Sequence, residues 1–187
     1  MLLKSIGKQI ATNMPNTFNK CWCFFAGFAF ILHGVERETN DIDILVKNSK
    51  SRDKIVKVIK DLNFFEKETS YNITHYINQK LDVSIDIILN QVLFTTPESF
   101  WDNLFFVKYN GADLPTPSKL DMILLKIIIY NGRAKSDIKR QNDLFDVNSF
   151  IKKDLNIKIE DIVEYAKKYD LQLKTQEFLQ LIENLTS

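Results

Sequence analysis

The chain has 187 residues, of which 45% are hydrophobic and 26% charged, enough apolar side chain for a folded core. Wholesale disorder is excluded, because it needs low hydrophobicity and high net charge. The balance of 25 basic against 24 acidic residues leaves a net charge of +1, so no global field favours nucleic acid or an anionic membrane.

Leu3, Ile6 and Ile10 recur at helical intervals, which predicts an amphipathic helix over 2–14 closed by Pro15. Cys21 and Cys23 are the two cysteines, too few for a disulfide framework, and they imply a reducing, cytoplasmic compartment. They open the longest apolar run, Cys21 to Leu32, whose twelve residues fall short of the roughly 20 that span a bilayer. No targeting or membrane segment is expected. Residues 21–26 suit a buried strand and 28–33 a short helix. DIDILV, Asp41 to Val46, reads as a second strand. Ile55, Val58, Ile59 and Leu62 share one face of a helix over 51–62. One or two strands fall within Thr69 to Asn78. Leu81 to Leu89 alternates strictly, with Leu81, Val83, Ile85, Ile87 and Leu89 on one face and Asp82, Ser84 and Asp86 on the other.

Past Gly111 the character changes. Pro115 and Pro117 end an extended piece, and Ser118 is a good N-cap for a helix to about Asn131. Further helices are predicted near 137–152, 160–169 and 175–185. Strands first and helices later predict an α+β fold: a small mixed sheet flanked by helices over 1–112, with a helical region over 113–187 packed on it.

Asp41 and Asp43 stand two apart on a strand, so their side chains share a face with Cα atoms roughly 6.6–6.8 Å apart. Like charges so placed repel unless a cation lies between them, and a hard divalent ion prefers carboxylate oxygen. Asp86, on another polar strand face, joins the pair if its strand lies alongside. Three carboxylates can hold two Mg2+ ions, the arrangement used for in-line phosphoryl and nucleotidyl transfer. A solvated Asp pair after a turn would read the same. Gly27 ends a strand and opens a helix, where backbone N–H groups can cradle phosphate; a tight strand-to-helix turn is the plain alternative.

Taken together, Gly27, Ala29, His33, Gly34, Arg37, Thr39, Asp41 and Asp43 resemble the signature of the nucleotidyltransferase superfamily, the polymerase-beta-like fold. The similarity is to the bacterial branch holding AbiEii-like toxins and aminoglycoside nucleotidyltransferases. In that signature two glycines open the turn, and here Ala26 stands in place of the first. The resemblance implies an enzyme that transfers an NMP from an NTP, with two Mg2+ ions, to a hydroxyl on tRNA, a protein or a small molecule. It also implies a toxin role with a cognate antitoxin. Asp41, Asp43 and Asp86 would be catalytic and hold the metals, with Asp82 as competitor for the third place. Ala26, Gly27, Arg37, Thr39 and Lys126 would bind the nucleotide. Ala26 is also what a catalytically inactive nucleotide-binding module of the same fold would show; a plain interaction protein would have its acidic residues scattered.

The helical half adds Pro117, Lys126, Arg133, Asp143 and Asp146 in the order that related proteins carry. Lys126 interrupts the run MILLKIII, and a lysine among apolar neighbours needs an anion, either a triphosphate or one of those two aspartates. Arg37 suits a phosphate, the orientation of Asp41 or Asp43, or plain exposure. Thr39 suits a hydrogen bond in the turn before the acidic strand. His33 reads as a hydrogen-bonded helix end, and His75 as structural, with no partner at ligand spacing. Trp22, Trp101 and the phenylalanines read as core, although Phe100–Trp101 and Phe105–Phe106 could wall a nucleotide base.

Overall fold

The structure is a computed structural model that describes residues 2–70, 73–90, 98–132, 138–154, 157–167 and 169–184. It divides into two compact units, Met1–Ser118 and Lys119–Ser187.

The first unit is built on five strands: β1 (Trp22–Phe25), β2 (Asp41–Val46), β3 (Phe65–Ser70), β4 (Ile73–Asn78) and β5 (Val83–Leu89). Their order across the sheet is β1-β2-β5-β4-β3. β2 and β5 run parallel and the other pairings are antiparallel, so the sheet is mixed. Register sorts the side chains, because cross-strand partners share a face. Trp22, Phe24, Ile42, Ile44, Val46, Val83, Ile85, Ile87 and Tyr76 lie on one face and form its core. The Tyr76 hydroxyl donates to Glu66 at 3.3 Å, and burial, then the Glu66 charge, push its pKa up to about 12.

Helix α1 (Leu2–Asn13) and helix α3 (Ser49–Asp61) supply Ile6, Ile10, Ile55, Val58 and Ile59 to that core. Asn48 caps α3 by accepting from the Ser51 N–H at 3.0 Å. Gly7 lets α1 approach closely: a Cβ there would lie 2.9 Å from the Phe28 ring.

A short helix and one strand have no counterpart in the sequence reading, whereas the extended piece ending at Pro115 and Pro117 is that strand's partner. Helix α4 (Glu98–Asp102) buries Phe100 and Trp101, edge to face at 5.0 Å. That burial removes this pair as the wall of a base. Strand β6 (Phe105–Tyr109) pairs with β7 (Ala112–Thr116) as a separate hairpin, turning at Asn110 and Gly111 with φ of 46° and 81°. Two residues at positive φ make the tight turn that matches strand twist, and Asn-Gly is its strongest sequence signal. The strand expected from Leu81 begins at Val83, because Asp82 turns to φ 53°.

The second unit holds helices α5 (Lys119–Gly132), α6 (Lys139–Lys153), α7 (Ile159–Lys167) and α8 (Gln172–Asn184). α5 buries every residue from Asp121 to Ile127, as a helix enclosed by neighbours must. Several buried polar groups inside this unit are paired, although Arg140 Nε and the Thr175 hydroxyl have no hydrogen-bond partner among the described residues. Tyr165 donates to Asp121 at 2.8 Å, and its hydroxyl pKa is raised by burial and by that carboxylate. Tyr130 meets Phe178 edge to face, and Arg140 lies 4.0 Å over the Tyr130 ring. Arg133 falls outside the described residues.

Candidate active site

β2 and β5 place the acidic residues. Their parallel register sets Asp43 directly beside Asp86, and Asp41 beside Ser84. Adjacent strands are about 4.8 Å apart, so Asp41, Asp43 and Asp86 occupy one patch on the sheet face opposite the core. The apolar alternates of each strand are buried on the other face, which anchors this register: a one-residue slip would bury the aspartates.

The site's second wall follows from β1. Phe25 pairs with Asp43, so the chain leaves β1 beside the acidic patch and enters helix α2 (Ala26–Leu32) there. Ala26 has φ 44°, the left-handed region that glycine occupies freely. The turn that a glycine would make is therefore adopted by an alanine, at a cost of about 1–2 kcal/mol. Ala26→Gly relieves that strain while adding freedom to the unfolded chain, which offsets about 0.4–1 kcal/mol. The expected result is a modest rise in stability, read as a higher urea midpoint at unchanged slope; a lower midpoint would show that the alanine methyl contributes packing.

At Gly27 a Cβ would lie 2.9 Å from the Arg37 guanidinium carbon, so the charged fork rests directly on the glycine backbone. Arg37 thus sits at the start of α2, half-buried, in the segment that leads into β2. Thr39 accepts the Asp41 N–H at 3.1 Å and shapes the turn before the acidic strand. His33 ends α2, with Nε2 3.0 Å from the Thr116 hydroxyl and its ring 5.3 Å from the half-exposed Phe105.

Two partners of the aspartates were not assigned from sequence. Ser84 donates its hydroxyl to Asp41. His75, read as structural, lies opposite Asp86 across the β4–β5 pairing, and its Nδ1 meets Asp86 Oδ1. Spacing along the chain could not reveal it, because the contact depends on a hairpin register. The competitor, Asp82, stands outside β5 and accepts from Asn40 at 3.3 Å.

Lys126 is buried on α5 in the second unit, with Nζ 2.7 Å from Asp143 and 2.9 Å from Asp146. The anions its burial requires are thus provided by α6.

The donor chemistry and backbone placement fit a hard divalent cation: three carboxylates on one face, two of them register neighbours. Asp41 is turned to Ser84 and Asp86 to His75, and no three-ligand cluster is closed among the described residues.

Comparison with known proteins agrees with this architecture. The structure is similar to that of ANT(2")-Ia in complex with adenylyl-2"-tobramycin, at 12% identity and a TM-score of 0.66 over 96% of this chain and 98% of that one. It is also similar to an antigenic nucleotidyltransferase-like protein from Paracoccidioides brasiliensis (16% identity, TM-score 0.57, 93% and 92% covered). A third similar structure is JHP933 from Helicobacter pylori (13% identity, TM-score 0.53, 99% and 92% covered). At these identities the likeness establishes the fold. No curated protein matches the sequence. The profile of the nucleotidyl transferase AbiEii toxin family, of type IV toxin–antitoxin systems, matches residues 17–186. That match spans nearly the whole chain, which therefore belongs to the AbiEii family and is an enzyme of the nucleotidyltransferase class.

Proposed function

We propose that the protein is a metal-dependent nucleotidyltransferase that moves an NMP from an NTP to a hydroxyl acceptor. The observation that carries this reading is the register of β2 and β5, which sets Asp43 against Asp86 with Asp41 on the same face, beside the Ala26–Gly27 turn. Asp41, Asp43 and Asp86 would hold Mg2+, which when bound draws the triphosphate oxygens in and disperses charge as the α-phosphorus is attacked. The backbone of Ala26 and Gly27 would receive the outer phosphates, with Arg37 lying over the same turn to neutralise them. Thr39 supports the turn that aims Asp41. Asp86 would accept the proton of the acceptor hydroxyl; the hydroxyl's oxygen bonds to the α-phosphorus, the bond to the β-phosphate breaks, and pyrophosphate leaves. Charge-complementary groups fixed around the reacting phosphate act on the transition state more than on the substrate. Lys126 we assign to its ion pair with Asp143 and Asp146, a role its burial supports.

The acceptor belongs to tRNA, a protein or a small molecule, and as a member of a toxin family the enzyme would act in the cytoplasm under a cognate antitoxin. The near-neutral charge of the chain favours a compact acceptor contact over a long RNA footprint. Ala26 was the feature that fitted an inactive binding module, and its left-handed conformation keeps the phosphate turn available.

The test is to incubate the protein with each α-labelled NTP, Mg2+ and cell lysate. We expect label on one acceptor class with one preferred nucleotide. No transfer from any of the four, together with a melting temperature raised by Mg-ATP, would favour the inactive module; no transfer and no shift would exclude both.

A further inference from the structure

A row of polar residues crosses the outer face of the sheet at one register level. Asp43 on β2 pairs with Asp86 on β5, Asp86 pairs with His75 on β4, and His75 pairs with Glu68 on β3. Within this row the imidazole turns its near nitrogen, Nδ1, onto Asp86 Oδ1, and both side chains are only about one-quarter to one-third exposed, at 25% and 32%. A carboxylate oxygen can only accept, so the facing Nδ1 is the protonated ring nitrogen. Thr74 and Tyr76, the neighbours of His75, are buried in the opposite face, so β4 cannot slide without exposing them.

We propose that His75 is the positioning residue of the third carboxylate: its Nδ1–H holds Asp86 through Oδ1 and leaves Oδ2 to the divalent ion. This rests on the nucleotidyltransferase reading above and adds to it a residue that neither the signature nor the strand alternation contains. The physical reason is rotamer freedom. Asp41 is tied by Ser84, and Asp86, on a neighbouring strand, needs its own tether if all three oxygens are to stand ready before the ion arrives. A ring spanning from the adjacent strand supplies that tether at short reach, because cross-strand Cβ atoms lie roughly 4.5–5.5 Å apart.

The experiment compares wild type, His75→Phe and His75→Asn, with Asp43→Asn as the reference for a lost ligand. Free Mn2+ is titrated by electron paramagnetic resonance in the presence of a non-hydrolysable NTP, and kcat and KM for the NTP are measured at saturating metal. His75→Phe keeps a ring and loses the donor. It is expected to weaken Mn2+ binding about 10–100-fold, the usual effect of losing a partner of a metal ligand, with KM for the nucleotide little changed. His75→Asn restores an N–H donor and should recover most of the affinity. If the Phe variant does not fold, by far-ultraviolet circular dichroism, His75→Leu replaces it. Wild-type Mn2+ affinity in the donor-less variant, or equal loss in Phe and Asn variants of wild-type melting temperature, overturns the positioning role and leaves the enzyme reading intact. No Mn2+ binding by the wild type overturns both.

Discussion

Asp43→Asn is expected to remove nucleotidyl transfer while leaving the protein folded. The change is isosteric and takes one negative charge from a half-buried position on the outer sheet face. Asp43 stands centrally in the patch: Asp41 is two residues away on its own strand and Asp86 is its register partner. A residue so placed would touch every ion in the site, so its loss should exceed the roughly 10–100-fold that follows removal of an outer partner. The rate of label transfer should therefore fall by more than about 100-fold, with a melting temperature within a few degrees of wild type. Asp41→Asn should act in the same direction. Transfer at near wild-type rate in Asp43→Asn would remove the acidic patch from the mechanism, whatever the family.

Lys126→Met is expected to have the largest effect on stability. Its ammonium is buried between two carboxylates that are themselves almost inaccessible, with side-chain exposures of 8%, 2% and 2%. Methionine fills much the same volume but takes from Asp143 and Asp146 the ammonium that lies 2.7 and 2.9 Å from them. Breaking a buried pair from one side costs about 3–5 kcal/mol, because the carboxylates stay buried and lose the cation that offset their charge. Urea unfolding of the variant should show that loss. The triple replacement Lys126→Met, Asp143→Asn, Asp146→Asn should recover most of it, since a group removed whole leaves no stranded charge. A loss below about 1 kcal/mol in Lys126→Met would show that other groups already balance the two aspartates.

These expectations divide between what chain-local patterns reveal and what they conceal. Helix α3 was legible because Ile55, Val58 and Ile59 repeat at the helical period against a lysine-rich face. β5 was legible from its strict alternation, and β2 from a short apolar run bounded by polar residues. The acidic motif was legible too, since residues two apart on a strand share a face whatever the fold. The hairpin of β6 and β7 carried an Asn110–Gly111 signal that went unread, because exposed Phe105 and Phe106 do not alternate with the period of a half-buried strand. Short helix α4 gives its period too few residues to show.

The sequence by itself determined which residue types were available and which of them lie on one face of one element: the paired aspartates, the turn after β1, the apolar stripe of each helix. Tertiary structure alone decided which strands are neighbours and at what offset. That offset brought Asp86 to Asp43, gave Asp86 its tether in His75, and removed Asp82 from the strand. It also decided that Lys126 meets two carboxylates from α6. The reason is physical: local periodicity follows from backbone geometry over a few residues, whereas register is chosen by burying many apolar side chains at once, a condition no single segment contains.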